Sequence, residues 1–223
     1  MKKILGLILI FTISIVFGQK KEGFGIKELT QKELNFPDLE KSNDIFSFRL
    51  ENLGQVIDLR ILNNSTYSGT IYNYVTKANE NYRQNEKVSS GKIIPKVYIQ
   101  EIQLNPEEVK KAIEIVKNHE ITTLPSDENI KDWKPVLDGE WFSTSQKING
   151  LYKEKNYGNP KLQVGLKEAK TFLNFHSDLD TEIKFTDKFR NFFSHLDYGC
   201  YSDGSAEITC LGRKTRWWKF WRW

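Results

Sequence analysis

FSFRLENLGQVIDLRILNNSTYSGTIYNYVT, residues 46–76, is the stretch that decides the fold. Phe46, Phe48 and Leu50 alternate with Ser47 and Arg49, the period of a strand that buries one face. Past Gly54 the alternation resumes from Val56 to Leu62, with Ile57, Leu59 and Ile61 on one side and Asp58 and Arg60 on the other. Asn63-Asn64-Ser65 supplies turn residues, and Thr66 to Thr76 reads as a third strand rich in Thr, Tyr and β-branched side chains. Strands this close in sequence, joined by short turns, make an antiparallel meander.

Working outward, residues 77–92 (KANENYRQNEKVSSGK) are too polar to bury and read as a long exposed loop or hairpin tip. Ile93 to Leu104 returns as a strand, with Pro95 marking an edge or a bulge. Asn105-Pro106-Glu107-Glu108 is a helix start: a capping Asn, a Pro in the first turn, and carboxylates at the positive end of the dipole. Val109, Ala112, Ile113 and Val116 then form an apolar stripe, and Leu124-Pro125 closes the connection. Asn149-Gly150, between Glu140–Ile148 and Leu151–Tyr157, is a hairpin turn. Gly158-Asn159-Pro160 breaks the second of those strands. Leu166, Ala169 and Leu173 predict a second helix, and Phe189, Phe192, Phe193 and Leu196 the apolar face of a third. The expected fold is α+β: an antiparallel meander plus a hairpin, packed with about three amphipathic helices.

The N-terminus reads as an export signal. Lys2 and Lys3 precede an apolar run from Ile4 to Phe17, and Val16-Phe17-Gly18 before Gln19 is a small-residue cleavage pattern. As a helix the run reaches about 21 Å, short of a hydrocarbon core of roughly 30 Å, which favours a cleaved signal over an anchor. No cysteine follows the run to carry a lipid. The short signal and the Lys/Asn/Ile-rich composition point to a bacterium, with the periplasm or the medium as destination. The expected organisation is a signal peptide at 1–18, a leader at 19–43, an α+β domain at 44–197, a cysteine loop at 198–212 and a basic Trp-rich tail at 213–223. A monomer is expected.

The formal charge is +4, but Lys2, Lys3 and the five basic residues of the tail leave the body from Gln19 to Gly212 at about −3. A mildly acidic body argues against a nucleic-acid-binding domain. Cys200 and Cys210 are the only cysteines. In an oxidising compartment they would pair, with loop closure contributing on the order of 3 kcal/mol at most. A two-residue turn at Asp203-Gly204 would set Cys200 opposite Glu207, so the bridge requires a wider loop. Zinc held with two of His119, His176 and His195 lacks any paired ligand spacing, so a disulfide is the better reading, with free thiols as the open alternative. No metal and no cofactor is implied.

Phe48-Arg49-Leu50, the helix ending in Leu124-Pro125, Leu137-Asp138-Gly139-Glu140-Trp141, Asn149-Gly150-Leu151-Tyr152 and Tyr157-Gly158-Asn159-Pro160 follow one another in this order. The succession resembles a group of uncharacterised exported bacterial proteins whose pattern runs Leu-Asp-Gly, an aromatic, a strand, Gly-x-Tyr, and a strand ending in Pro. The resemblance spans residues 45–196. The group has no assigned activity, so it implies no catalytic residue. Ser143-Thr144-Ser145-Gln146 departs from it, since an acidic residue is frequent there.

Candidate chemistry is sparse. Asp138 and Glu140 could act as general acid and base, although carboxylates flanking a glycine more often build a turn. His119 and His176 read as helix C-terminal residues, and His195 as a surface position in the third helix. Trp141, Ser143, Ser145 and Lys147 share a hairpin face with Tyr152, so Trp141 and Tyr152 are candidates for carbohydrate or peptide binding, or for covering the sheet.

Four of the six tryptophans lie in the last seven residues, Trp217-Trp218-Lys219-Phe220-Trp221-Arg222-Trp223, with Arg216, Lys219 and Arg222 at every third position. Indoles favour the water–lipid boundary, and interleaved cations favour anionic headgroups. The run is too short to span a bilayer and would lie on one. On a helix Trp217, Trp218 and Trp221 would share a side, with Phe220 and Trp223 nearer the basic stripe. The sequence thus reads as an exported non-enzymatic domain, binding or envelope-associated, with a membrane-interface tail. Two alternatives stay open: a small periplasmic hydrolase using Asp138 and Glu140, and a secreted inhibitor or partner-binding protein for a protein or glycan.

Overall fold

A computed structural model describes residues 34, 36–78, 96–135, 139–205 and 207–212. Eight strands form one sheet: β1 (Phe46–Asn52), β2 (Gln55–Ile61), β3 (Tyr67–Lys77), β4 (Val97–Gln103), β5 (Trp141–Ile148), β6 (Leu151–Gly158), β7 (Gly199–Ser202) and β8 (Thr209–Leu211). Three α-helices whose bounds fall within the described residues accompany them: α1 (Pro106–Asn118), α2 (Lys167–Ile183) and α3 (Phe185–Ser194). The α+β class, the meander and the hairpin are as expected, and every strand pair is antiparallel. The spatial order is β6-β5-β1-β2-β3, with β4 on the far edge of β3. β4 still pairs with Thr76 where β7 begins, so β7 continues along β2's edge of β3.

The register explains the two faces. Phe48 lies opposite Leu59 and Gln146, and Leu50 opposite Ile57 and Thr144, so the residues of odd β2 and even β1 look one way. That face carries the core, where α1 and α2 seat Val109, Ala112, Ile113 and Val116 and Phe172, Phe175, Leu179 and Ile183. Helix α1 comes so close to β3 that a Cβ at Gly69 would stand 2.7 Å from a Val109 methyl. Its start is reinforced by a reciprocal cap: Asn105 Oδ1 accepts from Glu108 N–H and Glu108 Oε2 accepts from Asn105 N–H, both at 2.9 Å. The α2 stripe differs from its sequence reading. Leu166 is the residue before the helix and Leu173 is only half-buried, because the phase that meets the sheet is Ala169, Phe172, Phe175, Leu179 and Ile183. Lys184, with φ of 50°, ends α2 and starts α3 without a linker. Phe189, Phe192, Phe193 and Leu196 pack on Val75 and Tyr201, as their spacing suggested, although Leu196 lies past the helix end.

The opposite face is polar yet covered. Residues 36–44 lie across it, and Leu34 and Leu39 are buried. Arg49 Nη2 donates to Asp58 Oδ2 and to the Pro37 carbonyl, each at 2.9 Å, with the Phe36 ring centroid 4.8 Å from the guanidinium. Lys147 Nζ donates to the carbonyls of Glu40 and Ser42 at 2.7 and 2.6 Å, and Arg60 pairs with Asp44 at 2.6 Å. Part of the segment read as a leader is therefore a strap packed on the sheet. It is held chiefly through backbone carbonyls, which leave no trace in a side-chain pattern.

The register also fixes what sits at each end. Ser143, Glu51, Val56, Tyr72 and Asn156 form one row, so the β1–β2 turn, the C-terminal ends of β3 and β6 and the start of β5 share one end of the sheet. β7 pairs with Thr76 and Lys77 there, and Leu211 lies opposite Gly199, so the chain leaves β8 at that same end.

Candidate functional site

The cysteines are bridged. Cys200 and Cys210 face one another across β7 and β8 with Cα atoms 4.0 Å apart, and the wide loop the bridge requires is present between Ser202 and Thr209. Asp203 Oδ1 accepts from Ser205 N–H at 2.9 Å, turning that loop locally. A bridged cysteine is neither nucleophile nor metal ligand. The residues 198–212, read as a loop, form a hairpin appended to the long strand β3.

Of the candidate acid–base pair, Asp138 lies outside the described residues, and Glu140 is engaged in structure. Its carboxylate meets Lys161 Nζ at 2.9 Å, its N–H donates to Asn159 Oδ1 at 2.8 Å, and its carbonyl accepts from Asn159 N–H at 2.7 Å. Gly139 has φ of 133°, and a Cβ there would fall 1.7 Å from Asn159 Oδ1. The Gly139–Glu140 step and left-handed Asn159 thus lock together as a joint between the start of β5 and the end of β6. Asp127 Oδ2, on a single 3₁₀ turn, accepts from Gly158 N–H at 2.8 Å and fastens the same joint. This arrangement supports the turn reading of Glu140.

The three histidines are dispersed. His119 does cap α1, and its Nε2 meets Asp178 Oδ2 at 2.8 Å. His176 sits within α2 rather than after a helix, its ring 5.1 Å from the centroids of Phe142 and Phe185. Burial holds its imidazole below the ordinary range, only partly offset by Asp180 and Glu140. His195 is exposed at the end of α3, with Nδ1 2.7 Å from the Asn191 carbonyl. Among the described residues no group of three or more His, Cys, Asp or Glu could hold a metal.

Trp141 and Tyr152 share the polar face, as the alternation implied, and both are exposed, at 47% and 37%. They do not form one platform. Trp141 pairs with Gly158 and Tyr152 with Lys147, six strand positions apart, or about 20 Å. The Trp141 indole lies over Gly158, where a Cβ would be 3.0 Å from the ring. Tyr152 borders a cavity of about 240 Å³ between the strap and Arg49. Arg49 Nη2, bonded to Asp58 and to the Pro37 carbonyl, ties the cavity's buried cation to the strap, while Arg49 Nε has no hydrogen-bond partner among the described residues.

One internal lysine went unnoticed in the sequence. Lys155 is buried beneath the turn after α1, donating to the carbonyls of Ile121 and Thr122, both at 2.9 Å, and burial lowers its ammonium to about 8. Gln146 Nε2 donates to the same Thr122 carbonyl at 2.8 Å. The alternation of charges in Lys153-Glu154-Lys155 looks like an exposed edge strand, which hides the one lysine that turns inward.

Residues 1–18, expected to be a signal peptide, and the tail, Arg216-Trp217-Trp218-Lys219-Phe220-Trp221-Arg222-Trp223 included, lie outside the described residues. No protein-family model matches the chain, and no curated protein matches it.

Proposed function

We propose that this is an exported, non-enzymatic α+β domain that works at an envelope membrane surface and is held there by residues 213–223. The observation that carries the reading is continuity: only Leu211 and Gly212 separate Cys210, in a disulfide-braced hairpin, from the basic aromatic run. A load on that run would be transmitted to the sheet through β7 and β3, with little slack. The disulfide accords with an oxidising compartment. Residues 213–223 are too few to span a bilayer as a helix, so the attachment proposed is interfacial. The non-enzymatic part of the reading draws on Glu140, whose carboxylate and backbone serve the joint with Lys161 and Asn159.

The test is co-sedimentation with anionic vesicles of the exported chain and of a chain ended at Gly212, at low and high salt. Binding is expected to fall sharply on truncation and, in the complete chain, to weaken with salt. Equal binding by both chains contradicts the tail's role. A hydrolytic activity abolished by Asp138→Asn or Glu140→Gln, with the fold intact, would replace this reading with the hydrolase one. A second reading, partner binding, draws on the half-exposed Trp141. It requires an envelope protein or glycan whose capture is lost in Trp141→Ala.

A further inference from the structure

The connection from β6 to α2 reverses the ordinary order of polar and apolar residues. Leu162 and Val164 are 58% and 92% exposed, while Gln163 between them is 4% exposed. Gln163 is held from beneath: its Oε1 accepts from Lys134 N–H and its Nε2 donates to the Lys134 carbonyl, both at 2.9 Å. Leu162 N–H donates to the Asn159 carbonyl at 3.0 Å, and Leu166 N–H to the Gln163 carbonyl at 3.3 Å. Two apolar side chains are thus thrust outward by a loop whose polar residue anchors it. Single exposed apolar residues are ordinary. A pair presented on an anchored loop is a feature to account for.

The surroundings are basic. A cleft of about 390 Å³ between this loop and α2 is lined by Val164, Leu166 and Leu173 together with Lys161, Lys167 and Lys170. Lys161 is paired with Glu140, whereas Lys167 and Lys170 form no ion pair among the described residues. The α2 N-terminus opens on the cleft with no side-chain cap, adding the positive end of a helix dipole. The loop follows the end of β6, at the end of the sheet where the chain leaves β8. β7 is in line with β2 and β8 with β1, two strands from β6, so about 10 Å separates the two points laterally.

We propose that the Lys161–Lys167 loop is a second contact with an anionic lipid surface, separate from the tail. Leu162 and Val164 enter the headgroup boundary, and Lys167 and Lys170, with the open end of α2, meet lipid phosphates. Charge complementarity selects this occupant: two apolar tips beside Lys167 and Lys170, which outnumber the first-turn carboxylate of Glu168, fit a surface that is negative outside and apolar beneath. The proposal extends the membrane reading of the tail but stands on different residues, so each can fail alone.

The test uses protein recovered from the exported fraction with its disulfide intact. Co-sedimentation is measured on vesicles of phosphatidylcholine alone and of phosphatidylcholine mixed with phosphatidylglycerol. Leu162→Ser/Val164→Ser and Lys167→Gln/Lys170→Gln are compared with the parent, each in the complete chain and in the chain ended at Gly212. All four side chains point outward, and circular dichroism checks that the fold is unchanged. Each double variant is expected to bind the mixed vesicles about tenfold or more weaker than its parent, whether or not the tail is present. Inorganic phosphate should compete no better than chloride at equal ionic strength. Parent-like binding by both double variants overturns the proposal, as does displacement by inorganic phosphate alone, which would mark a free-anion site. Sensitivity to the loop with none to truncation supports the loop and overturns the tail. The converse does the reverse.

Discussion

At the scale of single residues, the polar face of the sheet turns on Arg49 and Asp58. Their side chains are 10% and 3% exposed, and burial pushes the Asp58 carboxyl up from its ordinary range despite the guanidinium beside it. A desolvated pair of this kind is costly to break and cheap to replace. Arg49→Met is expected to cost about 3–5 kcal/mol in urea unfolding, because it strands Asp58 and frees the Pro37 carbonyl. Arg49→Met/Asp58→Leu should recover most of that loss. If the double variant is no more stable than the single, the loss comes from Arg49's hold on the strap and not from the stranded Asp58. Lys155 makes a pH-dependent claim. Between its folded value of about 8 and its ordinary 10.5, the unfolded chain keeps a proton that the fold has released. Stability from this group therefore rises with pH through that window and is lost as pH falls through about 8. Unfolding midpoints from pH 7.5 to 10 should climb in the parent relative to Lys155→Met. Parallel curves would place the ammonium in water.

At the scale of elements, the β7–β8 hairpin is the piece most separable from the rest. It pairs with β3 at Thr76 and Lys77, Ala78 N–H donates to the Cys200 carbonyl at 2.8 Å, Tyr201 packs on Val75, and the cystine closes it on itself. Reduction should raise amide exchange across residues 199–211 while β1, β2 and α1 keep their protection, since the main core contains none of the hairpin. Uniform loss of protection would mean that the bridge stabilises the whole domain. The elements differ in how much of them was legible in the sequence. β1, β2 and β3 could be read because each sets apolar side chains on the core face and mostly polar ones on the face beneath the strap, which makes alternation visible. α1 could be read because Asn105, Pro106 and Glu108 announce its start. α2 was misphased because Phe172 and Phe175 sit among lysines and acids that weaken the apparent stripe, and because Leu166, taken as its first apolar contact, precedes it. His176 was displaced for the same reason: the helix runs on to Ile183, past the point where its pattern fades.

At the scale of the whole molecule, three features that are distant in sequence share one end of the sheet: Trp141 over Gly158, the Leu162–Val164 loop, and the exit of β8 toward the basic aromatic run. No pattern along the chain reports that coincidence, because it follows from strand order and from β7 pairing back onto β3. The strap was illegible for a different reason: carbonyls of Pro37, Glu40 and Ser42 bind it to Arg49 and Lys147, and a carbonyl has no letter in the sequence. The cystine was legible because Cys200 and Cys210 are the only cysteines of a chain expected in an oxidising compartment, and the shared face of Trp141 and Tyr152 because it follows from alternation. The account makes this shared end the membrane-facing one, and amide exchange with and without anionic vesicles tests it most directly. Protection is expected to increase over residues 159–170 and from residue 198 to the C-terminus, with α1 and β4 unchanged. Protection confined to the strap and the polar face, or no change anywhere, would contradict it.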